Sequence, residues 1–253
     1  MKGFYSILGI VYLVTTSFYY LEKNVEPQKE ITIINKDNSR VEKQLVLDFS
    51  NENSSEDLYN SILFDEENKL NFDVFTKAVV GFNNLKKAGK LDENAYLLTV
   101  CDFSLSSNKK RLWVIDMNER KVLFNSLVAH GKNTGEEFAT NFSNIESSYQ
   151  SSMGFYITEA TYDGSNGYSL KLLGMDPGFN DAALQRAIVM HGADYVSEEF
   201  AAAHKRIGRS WGCPAVPRNL AEPIINTIKD KNVLFIYYPD ERYLSSSEWL
   251  RES

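Results

Sequence analysis

The feature that most limits what this chain can fold into is a change of hydrophobic period near residue 92. Upstream, apolar residues recur at helical spacing; downstream, they alternate. In "NFDVFTKAVVGFNNLKKAG", Asn71 offers a side-chain oxygen to the first free amides of a helix. Phe72, Phe75, Val79 and Phe82 fall on one stripe, and Gly89 supplies the stop. The preceding "SSEDLYNSILF" predicts a shorter helix capped by Ser54 or Ser55. From "AYLLTVCDFS" onward the pattern has period two. "RLWVID" and "KVLFNSLVA" flank the turn "MNER", and "MGFYITEATYDG" and "GYSLKLLGM" flank a turn in "DGSNG". "NDAALQR" predicts a short helix begun by Asn180 and running into the apolar "AIVMH". "NLAEPIINTIKD" predicts a late helix with Pro223 in its first turn, and "NVLFIYY" a buried closing strand. Runs of helix followed by runs of strand point to an α+β domain. The expected organisation is a helical segment at 54–91 packed on a β-rich domain at 92–240, with a tail at 241–253.

The amino-terminal end constrains location. "MKGFYSILGIVYLVTTSFYYLEKN" has Lys2 and then nineteen uncharged residues, Gly3 to Leu21, before Glu22 and Lys23. A charge followed by such a run reads as a membrane-targeting segment, a signal peptide or signal anchor over 1–24. No cysteine at its end offers a lipid attachment point. A positive flank keeps that end inside and sends the downstream residues outward, so the body of the protein is expected to be extracytoplasmic. Residues 25–53 read as a spacer with one short strand at Ile31 to Ile34. The net charge of −7 disfavours a polyanionic partner, and no Lys/Arg run opposes it, so nucleic acid is excluded as a partner.

The candidate chemistry lies in "GRSWGCPAVP", where Cys213, one of two cysteines, sits on a glycine turn. A thiol acts as a nucleophile when a neighbour takes its proton and donors stabilise the oxyanion it creates. Of the three histidines, His191 ends the apolar strand "RAIVMH" and is followed by Gly192, which makes it the preferred base. His204 reads as a solvated helix residue of "SEEFAAAHKRI", a candidate lid. His130 ends a strand and reads equally as a hairpin-end residue or part of the cleft. Gly212 lets the backbone bend, and the amides of Gly212 and Cys213 are expected to face a developing oxyanion. Arg209 and Arg218 bracket the turn, ready to hold a substrate carboxylate or lower the thiol pKa. Two rival readings exist: a disulfide with Cys101, and a zinc site from His191, His204 and Cys213. Cys101 shares an inward strand face with Leu97, Thr99 and Phe103, which disfavours the first. The zinc set lacks compact ligand spacing.

"IVMHGADYV" followed by "GRSWGCPAVP" resembles the murein L,D-transpeptidases, in the branch where Pro-Ala follows the cysteine. The likeness runs from about Leu97 to Tyr238 through "VAHGKNTGEEFATNFSNIESSYQSSMGFY" and "YDGSNGYSLKLLGM". Where the familiar pattern has histidine before Gly-Cys, this chain has Trp211; where it has arginine two places after the cysteine, this chain has Ala215. The resemblance implies a β-sandwich-like catalytic domain and acyl transfer on peptidoglycan stem peptides, with no metal or organic cofactor. It makes Cys213 the nucleophile, His191 the base, and Ser210 and Gly212 the turn that orients them. Arg209, Trp211, His130 and Arg218 are the expected substrate contacts. The same residues would serve an L,D-carboxypeptidase that resolves the acyl-enzyme with water. A third reading is a catalytically silent peptidoglycan-binding envelope protein.

Overall fold

A computed structural model describes residues 52–92 and 94–251. The membrane-targeting segment at 1–24, and the spacer up to residue 51 with its strand at 31–34, lie outside the described residues. Among the described residues no helix is long and apolar enough to cross a membrane.

Two helices open the described residues, α1 (Glu52–Ser61) and α2 (Phe72–Lys87). Asn71 caps α2 as its sequence predicts, accepting from the amides of Asp73 at 2.9 Å and Val74 at 3.3 Å. Helix α1 starts upstream of Ser54 and Ser55, so neither serine is its cap. Eight strands follow: β1 (Leu97–Asp102), β2 (Leu112–Asp116), β3 (Lys121–Ser126), β4 (Gly154–Gly164), β5 (Gly167–Gly174), β6 (Val189–Ala193), β7 (Ala215–Pro217) and β8 (Val233–Tyr237). Between and after them lie α3 (Glu198–His204), α4 (Arg218–Ile228) and α5 (Glu241–Ser246).

All eight strands join one sheet in the order β3-β2-β1-β8-β4-β5-β6-β7. The β1–β8 and β6–β7 pairs are parallel and the others antiparallel. Both faces of the central strands are covered, so β1, β2 and β8 are apolar almost throughout rather than alternating. On one face α1 and α2 pack on Leu98, Val100, Trp113, Ile115, Phe155 and Phe235. On the other, α4 packs through Ile224, Ile225 and Ile228 on Cys101, Val114, Tyr156, Leu172 and Ile236. Cys101 is therefore buried in the second core, on the inward face its alternation predicts, and both cysteines are free thiols.

The two edges of the sheet meet. Directly after β3, Ala129 donates its amide to Ala215 of β7 at 2.8 Å, and Lys132 donates to Ser210 at 2.8 Å. A strap from the first edge thus lies along the last strand, so one sheet doubles over its own core. The architecture is a mixed α+β, sheet-rich domain.

Two elements differ from expectation. "NDAALQR" forms a run of turns, not a helix. Asn180 does not cap: its Oδ1 accepts from the amide of Asp176 and its Nδ2 donates to the Phe155 carbonyl. The tail is a packed element, with Tyr243 and Trp249 buried and the Trp249 indole donating to the Met175 carbonyl at 2.8 Å.

One close approach seats α2. A Cβ at Gly81 would lie 2.0 Å from the ring of Phe155, which is itself stacked on Phe235 at 4.1 Å and has no room to yield. Alanine for glycine inside a helix ordinarily gains about 1 kcal/mol. Overpacking a closed core costs about 1–3 kcal/mol and outweighs that gain. Gly81→Ala is expected to lower the unfolding free energy by about 1 kcal/mol or more in urea denaturation; a variant as stable as the parent would contradict this packing.

Candidate active site

The Cys213 turn is built by backbone contacts that only glycine permits. Gly212 has φ +127°, and a Cβ there would lie 2.7 Å from the Gln150 carbonyl oxygen. On its other side Gly131 of the strap approaches so closely that its own Cβ would meet Gly212 at 3.0 Å. Ser210 staples the turn. Its amide donates to the His130 carbonyl at 2.9 Å, its hydroxyl donates to the Cys213 carbonyl at 2.6 Å, and its Oγ accepts from the Gly212 amide at 3.0 Å. From below, the Ser151 hydroxyl donates to the Gly212 carbonyl at 3.0 Å and accepts from the Gly131 amide at 3.0 Å. The expectation that Gly212 offers an oxyanion donor is corrected, because its amide is consumed by Ser210. Among the described residues the Cys213 amide has no acceptor, which leaves it as a free donor of the turn.

The His191 imidazole arrives on the neighbouring strand. Parallel pairing sets His191 opposite Ala215, two residues past the cysteine. Cys213 Sγ lies 3.5 Å from the amide of Val189, two residues before His191 on the same strand. His191 is buried at 4% exposure, not emergent as its place at a strand end suggests. Its Nδ1 lies 3.1 Å from the Gly192 carbonyl oxygen. A carbonyl only accepts, so Nδ1 carries the proton of the neutral ring and Nε2 keeps its lone pair. The Gly192 carbonyl thus orients the His191 ring.

Both partners are biased toward their neutral forms. Burial pushes the Cys213 thiol up from its ordinary value, opposed by the Val189 amide, 3.5 Å from Sγ, and by the charge of Arg186. Burial pushes His191 down, reinforced by Arg218 and opposed by the bond to Gly192. Among the described residues Sγ contacts Val189 and Ala187, and no hydrogen bond joins it to the imidazole. The resting pair is a thiol beside a neutral imidazole. Tyr195, whose ring fills the space over Gly208, faces the same centre; burial and Cys213 push its phenol up to about 12, so it stays a donor.

The cation acting on the thiol is Arg186, which the sequence does not single out. Its guanidinium donates to the carbonyls of Ser143 and Gln150, each at 2.7 Å, and to the hydroxyls of Ser148 and Ser152. It therefore holds the 143–152 loop under the turn, while its Nε is buried without a partner. Arg209 and Arg218 do other work. Arg209 donates to the carbonyls of Lys132 and Gly135 and pairs with Glu136, clamping the strap loop. Arg218 pairs with Asp194 at 2.5 Å on the His191 side.

His130 is also corrected. It is 1% exposed, accepts from Arg111 at 2.8 Å through Nδ1, and lies 3.3 and 3.2 Å from the carbonyls of Gly135 and Glu136 through Nε2. Burial and the Arg111 charge hold its pKa at about 4, so it is a neutral structural residue and not a substrate contact. Trp211 is the reverse case, 71% exposed beside the turn. His204 lies on α3 with Nδ1 3.0 Å from the Phe200 carbonyl. Among the described residues no group of three or more His, Cys, Asp or Glu side chains is placed to hold a metal ion. A cavity of about 480 Å³ lies beyond the far ends of β6 and β7, lined by Asp194, Glu198 and Arg218 and not by Cys213.

The structure thus sets a turn-mounted cysteine and an imidazole oriented by a carbonyl on neighbouring segments of a mixed α+β sheet. The pattern that defines the L,D-transpeptidase catalytic domain matches residues 66–237, and the chain belongs to that family. No curated protein matches the sequence. Among solved structures, it is similar to an L,D-transpeptidase from Mycobacterium smegmatis at 12% identity and a TM-score of 0.35, over 57% of this chain and 59% of that one. An L,D-transpeptidase from Mycobacterium tuberculosis matches at 15% identity and a TM-score of 0.34, over 56% and 58%. The helical cell shape determining protein Pgp2 from Campylobacter jejuni matches at 12% identity and a TM-score of 0.39, over 69% and 61%. The chain thus spans less than two thirds of each of these structures.

Alkylation of Cys213 by iodoacetamide reads the thiolate fraction directly. Because the thiol is shifted upward, the rate is expected to climb without a plateau from pH 7 through pH 9. Arg186→Gln is expected to move the profile to higher pH, slowing the reaction about three- to tenfold at pH 8, with Arg186→Lys partly restoring it. An unshifted profile in Arg186→Gln would leave Arg186 with a purely structural role.

Proposed function

We propose that the protein is a peptidoglycan L,D-transpeptidase in which Cys213 and His191 carry the chemistry. The observation that carries this reading is the Nδ1 bond of His191 to the Gly192 carbonyl, which leaves Nε2 as the acceptor on the strand beside the cysteine. Family membership supplies the substrate class.

As a tetrapeptide stem binds, Nε2 takes the thiol proton while Sγ attacks the carbonyl that joins an L-configured centre to the terminal D-residue. Attack with concurrent proton transfer suits a pair that rests neutral, because no thiolate has to be stored in a buried site. The oxyanion is met by the free Cys213 amide. The tetrahedral intermediate collapses as imidazolium returns the proton to the departing D-amino acid, leaving a thioester on Sγ. An amine of a second stem then attacks the thioester, gives its proton to Nε2, and expels the thiol, so that one peptide bond replaces another. This reading sets the domain outside the cytoplasmic membrane, where stems are exposed, with the segment at 1–24 directing or anchoring it there.

Intact-mass analysis after mixing with disaccharide-tetrapeptide tests the reading. The wild-type chain is expected to gain the mass of a stem lacking its terminal residue, and Cys213→Ala to gain nothing. His191→Gln is expected to form the adduct about 10²- to 10⁴-fold more slowly. Cross-linked dimers among the products indicate transfer to an amine, and trimmed monomers indicate transfer to water. Binding without an adduct would overturn the enzyme reading.

A further inference from the structure

Beside the reactive turn stands a set of side chains that the chemistry leaves unused. Trp211, two residues before the cysteine, is 71% exposed. Leaving so large a ring in water forgoes the free energy that burial of a large apolar side chain returns. Its ring lies edge-on to Tyr149, with centroids 5.6 Å apart and planes at 62°. The ammonium of Lys132 sits 4.1 Å from the Tyr149 centroid and 5.9 Å from that of Trp211.

The backbone pins all three to the turn. The Lys132 amide donates to Ser210, and the Tyr149 carbonyl accepts from Asn133 at 3.1 Å. Tyr149 has φ +55° and Ser147 has φ +57°, left-handed conformations that are unfavourable for non-glycine residues. The loop holds that strain and keeps the Tyr149 ring against Trp211.

The charge pattern indicates what the rim receives. Arg206 and Arg209 share the one carboxylate of Glu136, Arg218 pairs with Asp194, and Arg186 is consumed by its loop. Among the described residues Lys132 pairs with no carboxylate and meets only ring faces. An exposed cation on two aromatic rings suits a ligand with a carboxylate and an adjoining apolar face.

We propose that Lys132, Tyr149 and Trp211 form a specificity rim that receives a free carboxylate of the stem peptide on Lys132, with the neighbouring aliphatic part of the peptide lying on Trp211. The proposal rests on the peptidoglycan reading and adds to it a preference for carboxylate-bearing over amidated stems. Neither Arg209 nor Arg218 holds the carboxylate, since both are already paired.

Equilibrium binding to the full chain carrying Cys213→Ala tests this without turnover. The probes are a tetrapeptide stem with free carboxylates and the same stem with those carboxylates amidated, and the readout is calorimetry. Amidation is expected to weaken binding about three- to tenfold. Adding Lys132→Gln is expected to cost the free-acid stem that same factor and to leave the amidated stem unchanged. Adding Trp211→Ala is expected to weaken both stems. Binding that is indifferent to amidation, or that falls equally for both stems in Lys132→Gln, would overturn the rim while leaving the peptidoglycan reading intact. Absence of binding by either stem to every form would overturn both.

Discussion

The site depends on the approach of two backbone segments that only glycines allow, Gly131 on the strap and Gly212 on the reactive turn. That approach exists because the strap leaving β3 runs along β7, the opposite edge of the same sheet. Ser151 fills the space beneath and hydrogen-bonds both glycines, so the turn is held on two sides by backbone and on a third by a buried hydroxyl. A turn fixed by sheet closure needs no long side chain to position its thiol. The conformational entropy of ordering it is offset by burial elsewhere in the sheet.

The second consequence is electrostatic. The turn is tight enough to desolvate Cys213, and His191 is buried beside it, so each group is displaced toward neutrality by the same cause. Arg186 and the Val189 amide oppose the shift on the thiol and the Gly192 carbonyl opposes it on the imidazole. Both groups therefore rest on the neutral side, which is the state the proposed transfer in step with attack calls for. The fixed tautomer matters more than the absolute basicity of the ring, because Nε2 is available only while Nδ1 is occupied.

Much of this was legible in the sequence, for identifiable reasons. The helical stripe of α2 and the apolar run of β1 are packing patterns, and packing is what a hydrophobic pattern encodes. Cys213 and His191 stood out because a glycine turn and a strand end are local features. The remainder depends on partners distant in sequence. His130 reads as a cleft residue until Arg111 is found against its ring. Arg209 and Arg218 read as a carboxylate clamp until Glu136 and Asp194 neutralise them. Arg186 gave no signal, since its partners are mostly loop carbonyls and hydroxyls of a serine-rich stretch. The Gly192 carbonyl gave none because every residue has one. Asn180 misled for a related reason: its side chain serves Asp176 and Phe155 instead of the helix start its sequence suggests.

The central claim, that His191 rests as a neutral ring with its proton on Nδ1, is open to direct measurement. Long-range ¹⁵N–¹H correlation spectra of the labelled full chain at pH 7, with the His191 signals assigned by their loss in His191→Gln, report the protonation of each ring nitrogen. The account predicts one protonated and one bare nitrogen, with the proton on Nδ1 and the lone pair on Nε2. A doubly protonated imidazolium, or a neutral ring with its proton on Nε2, would contradict it.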